Sequence, residues 1–148
     1  MRRLGKLTTV LSIAALVAVS SFAAQPTNTF TVAAYNLENW LLMDRDGQPD
    51  QPKPDSQKKA IFAVIAKVRP DVLGVEEMGS TNDLAELANG LRSQGLDYPY
   101  REWIQGADTN RHVSLLSRFP IVERFSRTDY NYLINGQPQR IERGILDV

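Results

Sequence analysis

Residues 69–78 read RPDVLGVEEM, and they carry the strongest structural signal in this chain of 148 residues. Pro70 ends any helix before it, because proline cannot supply the backbone N–H that a helix needs. Asp71 to Val75 is short and largely apolar, which predicts a strand buried in a sheet. Glu76 and Glu77 follow directly, and only one of them can enter a given site because successive strand residues face opposite sides. A carboxylate there needs a partner, which could be a divalent cation or an arginine.

Helical and extended segments alternate on both sides of this strand. Upstream, apolar residues at 60, 61, 64, 65 and 68 recur with helical spacing, after a polar loop at residues 44–57 in which Ser56 or Asp55 can cap the helix. Downstream, Ser80 and Asp83 form the capping-box signature of a second helix, which Gly95 closes. Further strands are predicted at residues 30–35, 98–104, 113–116, 121–125 and 143–148, with a hairpin turn at residues 135–136. This order predicts a layered α/β (α+β) domain.

The first 23 residues predict a secretory signal peptide. Three cations precede an apolar run at residues 7–19, and Ser21 and Ala23 place small residues at a signal-peptidase spacing. An uncleaved membrane anchor is the alternative, although the apolar run is short for a bilayer span. Residues 24–29 are then a short leader, and residues 30–148 form a domain that we expect to be secreted or periplasmic, without stable membrane association.

Charge and residue usage narrow the chemistry. Without the first 23 residues the chain holds 14 cations against 17 anions and no cluster of lysine and arginine, which argues against a pure DNA-binding module. Cysteine is absent and His112 is the only histidine, so disulfides and zinc sites built from thiolates or several histidines are excluded. Any metal must therefore bind carboxylate and amide oxygens, which suits Mg²⁺, Mn²⁺ or Ca²⁺.

Two other positions join the glutamates as candidate site residues. Asn36 ends the first predicted strand, at a sheet rim where ligands collect in α/β folds, but a turn or a helix cap would also explain it. Arg111 precedes the strand at residues 113–116, where a guanidinium can bind phosphate bidentately, but it could equally be a solvated side chain. His112 on its own is a weak signal for catalysis.

Three segments together resemble the endonuclease/exonuclease/phosphatase family. They are FTVAAYNLEN at residues 30–39, RPDVLGVEEM at residues 69–78 and VSLLSRFPI at residues 113–121, in the order found in the family. The resemblance implies a four-layered α/β/β/α sandwich of the deoxyribonuclease I-like type, of which residues 30–148 would form the N-terminal portion. It implies metal-dependent hydrolysis of phosphate diesters, with a secreted nuclease acting on nucleic acid as the leading function.

The resemblance also assigns roles to the candidate residues. By analogy, Asn36 helps to order the metal and phosphate site, Glu77 binds Mg²⁺ or Mn²⁺ directly, and Arg111 contacts the substrate phosphate. Glu76 stands where the family often has glutamine, so it is not the expected ligand. Two alternatives stay open: a phosphomonoesterase or sphingomyelin-type phospholipase of the same family, and a non-catalytic secreted binding module.

The sequence departs from the family in one large respect. The later family motifs supply a histidine, an Asp-x-Asn pair and a terminal Asp-His pair, and we expect these catalytic residues to lie beyond Val148. The usual mechanism needs an acid that orients water and a donor that stabilises the transition state. We therefore expect residues 24–148 to be an incomplete portion of the domain, inactive by themselves and poorly folded.

Overall fold

The computed structural model describes residues 29–148, so the predicted signal peptide and leader residues 24–28 lie outside the described residues. The strands are β1 (Val32–Trp40), β2 (Met43–Arg45), β3 (Gln48–Gln51), β4 (Val72–Met78), β5 (Tyr100–Ile104), β6 (His112–Ser117), β7 (Asn131–Ile134) and β8 (Gln137–Arg140), and the helices are α1 (Asp55–Val68) and α2 (Thr81–Ser93). The domain is of mixed α and β class, as predicted. Neither helix is long and apolar enough to cross a membrane.

Four strands form the main sheet, in the order β1-β4-β6-β5. β4 runs parallel to β1, with α1 in the connection between them, and β6 runs antiparallel to both β4 and β5. The strand predicted at residues 71–75 thus lies inside the sheet, and Leu73 and Val75 are 1% and 0% exposed. The other strands form two separate hairpins, β2–β3 and β7–β8.

Both helices pack on the same face of the main sheet and enclose the core. The buried residues that pack together include Ile61 and Ile65 from α1, Leu84, Leu87 and Leu91 from α2, and Leu73, Val75 and Leu116 from the sheet. Val64 and Val68, predicted on the apolar face of α1, are 47% and 53% exposed. They line a cavity beside β1, which is an edge strand of the sheet within residues 29–148.

The two helices begin differently. The capping box of α2 is confirmed: the Ser80 backbone N–H donates to Asp83 Oδ2 at 2.7 Å, and the Asp83 N–H donates to Ser80 Oγ at 3.3 Å. The predicted cap of α1 by Ser56 or Asp55 is wrong. Pro54 occupies the N-cap position without a side-chain hydrogen bond, and both predicted caps already lie within the first helical turn. Capping therefore contributes to the position of α2 but not to that of α1.

Three other predictions need correction or confirmation. The predicted loop at residues 44–57 contains the β2–β3 hairpin, turned by Asp46 and Gly47 with φ of 50° and 76°. Residues 121–125 and 143–148 are not strands, because they form no continuous ladder with another strand; Arg127 and Ile145 make only an isolated bridge. The predicted turn at residues 135–136 is confirmed, with φ of 49° and 75°, and it joins β7 to β8.

Candidate functional site

The candidate site lies where β1 and β4 lose their regular pairing. Pairing stops at Asn36 and Glu76 and resumes at Trp40 and Met78, so three residues of β1 lie opposite one residue of β4. Among the residues between, Glu38, Asn39 and Glu77 have φ of 54°, 62° and 58°. Residues other than glycine seldom adopt this left-handed conformation, and such strain concentrates at functional sites. Bulges in strands are also common beside active sites, where they redirect side chains.

Glu77 has the best-defined surroundings of the predicted residues. Its side chain is 18% exposed. Oε2 accepts a hydrogen bond from the Asn39 backbone N–H at 3.1 Å, and Oε1 lies 3.4 Å from Nη1 of Arg143. Of the two partners that the sequence allowed, an arginine is thus present. Glu76 is exposed, as expected for the glutamate that faces away from the core.

Asn36 lies beside Glu77 and also shapes the backbone. Its Oδ1 accepts a hydrogen bond from the Glu38 backbone N–H at 2.8 Å, which is the turn alternative considered from the sequence. Asn36, Glu77, Glu38 and Ile61 are among the residues that line one open cavity of 350 Å³. The structure therefore brings two of the three predicted residues to the same cavity.

Arg111 contacts Asn39 and is not among the residues that line this cavity. Its Nε donates to Asn39 Oδ1 at 2.7 Å, and its side chain is half-buried. The same asparagine donates its backbone N–H to Glu77. Asn39 consequently links the predicted phosphate-binding arginine to the predicted metal-binding glutamate.

Asp108 and Arg143 belong to the site but were missed in the sequence. Asp108 Oδ1 accepts from the backbone N–H groups of Asn110 and Arg111 at 2.9 Å and 3.0 Å, and its Oδ2 lies 3.6 Å from Arg143 Nε. Partial burial works against ionisation of Asp108, but these N–H groups and the charges of Arg111 and Arg143 together lower its pKa. An ionised Asp108 therefore interacts with the guanidinium of Arg143, which contacts Glu77, and with the backbone of Arg111. The Asp-x-Asn turn was a usable signal for Asp108, whereas Arg143 had no local signal.

Lys53 and Arg45 donate hydrogen bonds to backbone carbonyl groups in the strained part of β1. Lys53 is 3% exposed, and its Nζ donates to the Glu38 carbonyl at 2.8 Å and to Gln57 Oε1 at 2.9 Å. Burial lowers the pKa of Lys53, an effect partly opposed by the negative charge of Glu38. Arg45 Nη2 donates to the Asn39 carbonyl at 2.8 Å. The sequence placed both residues in or beside a polar loop and gave no sign of this role.

His112 lies in the packed interior and not at the cavity beside Glu77. It is 5% exposed, its ring centre is 4.3 Å from that of Trp103, and its Nδ1 lies 3.2 Å from the Met78 carbonyl oxygen. These contacts describe a side chain that fixes the end of β6 against β4. They agree with the weak catalytic signal of this residue in the sequence.

The oxygens at Glu77 fit a hard cation with few protein ligands. No group of three or more histidine, aspartate or glutamate side chains that could hold a metal occurs within residues 29–148. Mg²⁺ usually keeps several waters and binds one or two carboxylates together with substrate phosphates. A site made of Glu77 and the Asn36 amide oxygen meets that sparse requirement, and a cation there would replace Arg143 as the partner of the carboxylate.

Comparison with known proteins assigns no family to this geometry. Neither a scan against models of protein families nor a search of curated proteins finds a match to the chain. The chain is therefore described by its class: a mixed α/β domain with a cluster of carboxylate, amide and guanidinium groups where two parallel strands end.

Proposed function

We propose that this chain carries the cation-binding part of a metal-dependent phosphodiesterase site. The observation that carries the proposal is the half-buried carboxylate of Glu77, fixed by the Asn39 N–H and placed beside Asn36 in one cavity. The resemblance to the endonuclease/exonuclease/phosphatase family supplies the reaction, which is hydrolysis of phosphate diesters. Nucleic acid is the proposed substrate, and a secreted or periplasmic nuclease is the proposed role.

The proposed fold is the deoxyribonuclease I-like sandwich that the resemblance implies. The described sheet with both helices on one face would supply two adjacent layers of it. On the other face, Val32 is 63% exposed and Tyr100 is 39% exposed. A second sheet packing there would bury these side chains, since the inner faces of two packed sheets interdigitate.

The residues at the proposed site have different roles. Glu77 and Asn36 would hold Mg²⁺ or Mn²⁺, and a bound cation would neutralise charge on the phosphate. Arg143 contacts the Glu77 carboxylate and Arg111 contacts the side chain of Asn39, and guanidinium geometry matches a phosphate bidentately. Asp108, once ionised, would help to position the guanidinium of Arg143 and the backbone of Arg111.

Binding is expected to be easier to detect than turnover. His112 is buried away from the cavity, and the lowered pKa of Asp108 makes it a weak base. Groups of a catalytic set fail together when one is missing. We therefore expect the 148-residue chain to bind a phosphate diester in a cation-dependent way, with turnover below detection.

Calorimetry with two matched variants tests the proposal. Mn²⁺ is titrated into the full chain, and then bis-p-nitrophenyl phosphate is titrated in the presence of Mn²⁺. Glu77→Gln is expected to weaken Mn²⁺ binding by about tenfold or more, because a carboxylate charge dominates binding of such ions. Glu76→Gln, which changes the exposed neighbour in the same way, should leave the affinity unchanged. Equal affinities in all three proteins would refute the assignment of Glu77.

One observation favours a second candidate, a non-catalytic secreted binding module. The ion pair between Arg143 and Glu77 satisfies the carboxylate without a metal. A module of this kind would bind the diester equally well after addition of chelator, whereas the proposed enzyme site would lose it. A phosphomonoesterase or sphingomyelin-type phospholipase would instead prefer p-nitrophenyl phosphate or sphingomyelin vesicles in the same titration.

A further inference from the structure

The backbone N–H and carbonyl groups of both Glu38 and Asn39, which form a left-handed turn, all make hydrogen bonds. Asn36 Oδ1 accepts from the Glu38 N–H, and Glu77 Oε2 accepts from the Asn39 N–H. The two carbonyl groups accept from cations: that of Glu38 from Lys53 at 2.8 Å and that of Asn39 from Arg45 at 2.8 Å. A strained conformation persists only when its surroundings over-determine it in this way.

Lys53 differs from the other groups that hold this turn because it is buried. Its exposed fraction is 3%, although an ammonium group is costly to remove from water. Its two hydrogen bonds go to Glu38 and to Gln57 in the first turn of α1. Lys53 therefore ties the turn to a helix that is packed into the core, which gives the turn a rigid support.

We propose that Lys53 is a positioning residue that holds the Glu38–Asn39 turn left-handed, so that the Asn39 N–H fixes one oxygen of Glu77. The chain of contacts runs from Lys53 Nζ to the Glu38 carbonyl, and from the adjoining Asn39 N–H to Glu77 Oε2. Partners of this kind, one step removed from a ligand, orient ligands at metal sites. The metal-binding consequence rests on the proposed function, whereas the effect on the turn does not.

Hydrogen exchange of single amides, followed by NMR on the full chain, tests the effect on the turn. In Lys53→Met we expect the Asn39 amide to lose about tenfold or more of its protection, because the turn can then open locally. The Leu87 amide in α2 lies in the core and should keep its protection. Lys59→Met removes the same charge from the exposed side of α1 and should change neither amide.

A merely structural role would give a different pattern. It would lower the protection of Asn39 and Leu87 by the same factor and lower the melting temperature. We expect the melting temperature of Lys53→Met to stay level or rise, since a buried charge is removed. Should Lys53→Met fail to fold, Lys53→Gln keeps a polar group that is too short to reach Glu38, and it should show the same selective loss.

Two results would overturn the inference. One is a protected Asn39 amide in a folded Lys53 variant, and the other is an Asn39 amide without protection in the unaltered protein. A separate titration measures Mn²⁺ affinity, which we expect to fall by about tenfold in Lys53→Met. If the unaltered protein binds no Mn²⁺, the proposed function fails, and the exchange data still decide the role of Lys53.

Discussion

Nη1 of Arg143 lies 3.4 Å from Oε1 of Glu77, although 66 positions separate the two residues in the chain. The guanidinium is therefore a partner of the same carboxylate that the proposed cation would bind. Arg143 is 34% exposed and also contacts Asp108, so it can move from one carboxylate toward a bound anion without leaving the site. Under the proposed function, Arg143 would couple cation binding to phosphate binding.

Arg143→Met should separate these two effects. We expect Mn²⁺ to bind about fivefold more tightly, because a competing ion pair worth about 1 kcal/mol is lost. The same variant should bind bis-p-nitrophenyl phosphate more weakly, because one guanidinium is missing. Calorimetry measures both affinities. Arg127→Met, at an exposed arginine on the neighbouring bridge, is the control and should match the unaltered protein. Weaker Mn²⁺ binding in Arg143→Met would count against competition.

Gly106→Ala should displace Arg143 without replacing its side chain. A Cβ at Gly106 would collide with the Glu142 carbonyl and the Arg143 backbone. We expect diester affinity to fall roughly fivefold, about as much as in Arg143→Met, because the displaced guanidinium no longer reaches the diester. Gly74→Ala is the control, because its Cβ would meet nothing closer than the Ala33 carbonyl oxygen at 3.8 Å. Unchanged diester affinity in Gly106→Ala would show that the loop does not position Arg143.

Gly90→Ala tests the packing of the two helices. Alanine favours a helix over glycine by about 1 kcal/mol, which alone would stabilise α2. A Cβ at Gly90 would, however, overlap the ring of Phe62 on α1, and overpacking costs about 1–3 kcal/mol. We expect a net loss of stability in urea denaturation. Combining Gly90→Ala with Phe62→Leu should recover it, and a stabilised single variant would mean that Phe62 moves aside freely.

Ionisation of Tyr98 should lower the stability of the folded protein at alkaline pH. Its hydroxyl donates to the Pro70 carbonyl at 2.7 Å, and burial raises its pKa above the ordinary 10.0, partly offset by the positive charge of Arg118. The neutral phenol is thus favoured in the folded state. Its contribution is complete below the unfolded pKa and is lost as the pH rises through the folded pKa.

The matched variant is Tyr98→Phe. At about pH 7 it should be less stable by about 1 kcal/mol, the usual value of one hydrogen bond. Over the pH range above 10.0, the ordinary pKa of tyrosine, the unaltered protein should lose its advantage, so the two urea midpoints converge. Midpoints that stay equally far apart across this range would show that Tyr98 does not titrate with folding.

Local signals in the sequence were enough to predict much of the fold. The buried strand at residues 72–78 follows from an apolar run bounded by Pro70 and two acids. The α2 capping box and the turn at residues 135–136 follow from pairs of residues at most three positions apart. The predicted strands at 121–125 and 143–148 failed because a strand also needs a partner, which an apolar pattern does not specify.

The candidate site also has some features that follow from the sequence and others that only folding produces. The sequence by itself determined which residue types are present: an amide at Asn36, a carboxylate at Glu77, no thiolates, and a single histidine. Only the tertiary structure decided that Arg143 reaches Glu77 and that Lys53 is buried beneath the turn. The physical reason is range: propensities act over a few residues, whereas ion pairs and desolvation depend on groups that folding brings together from distant parts of the chain.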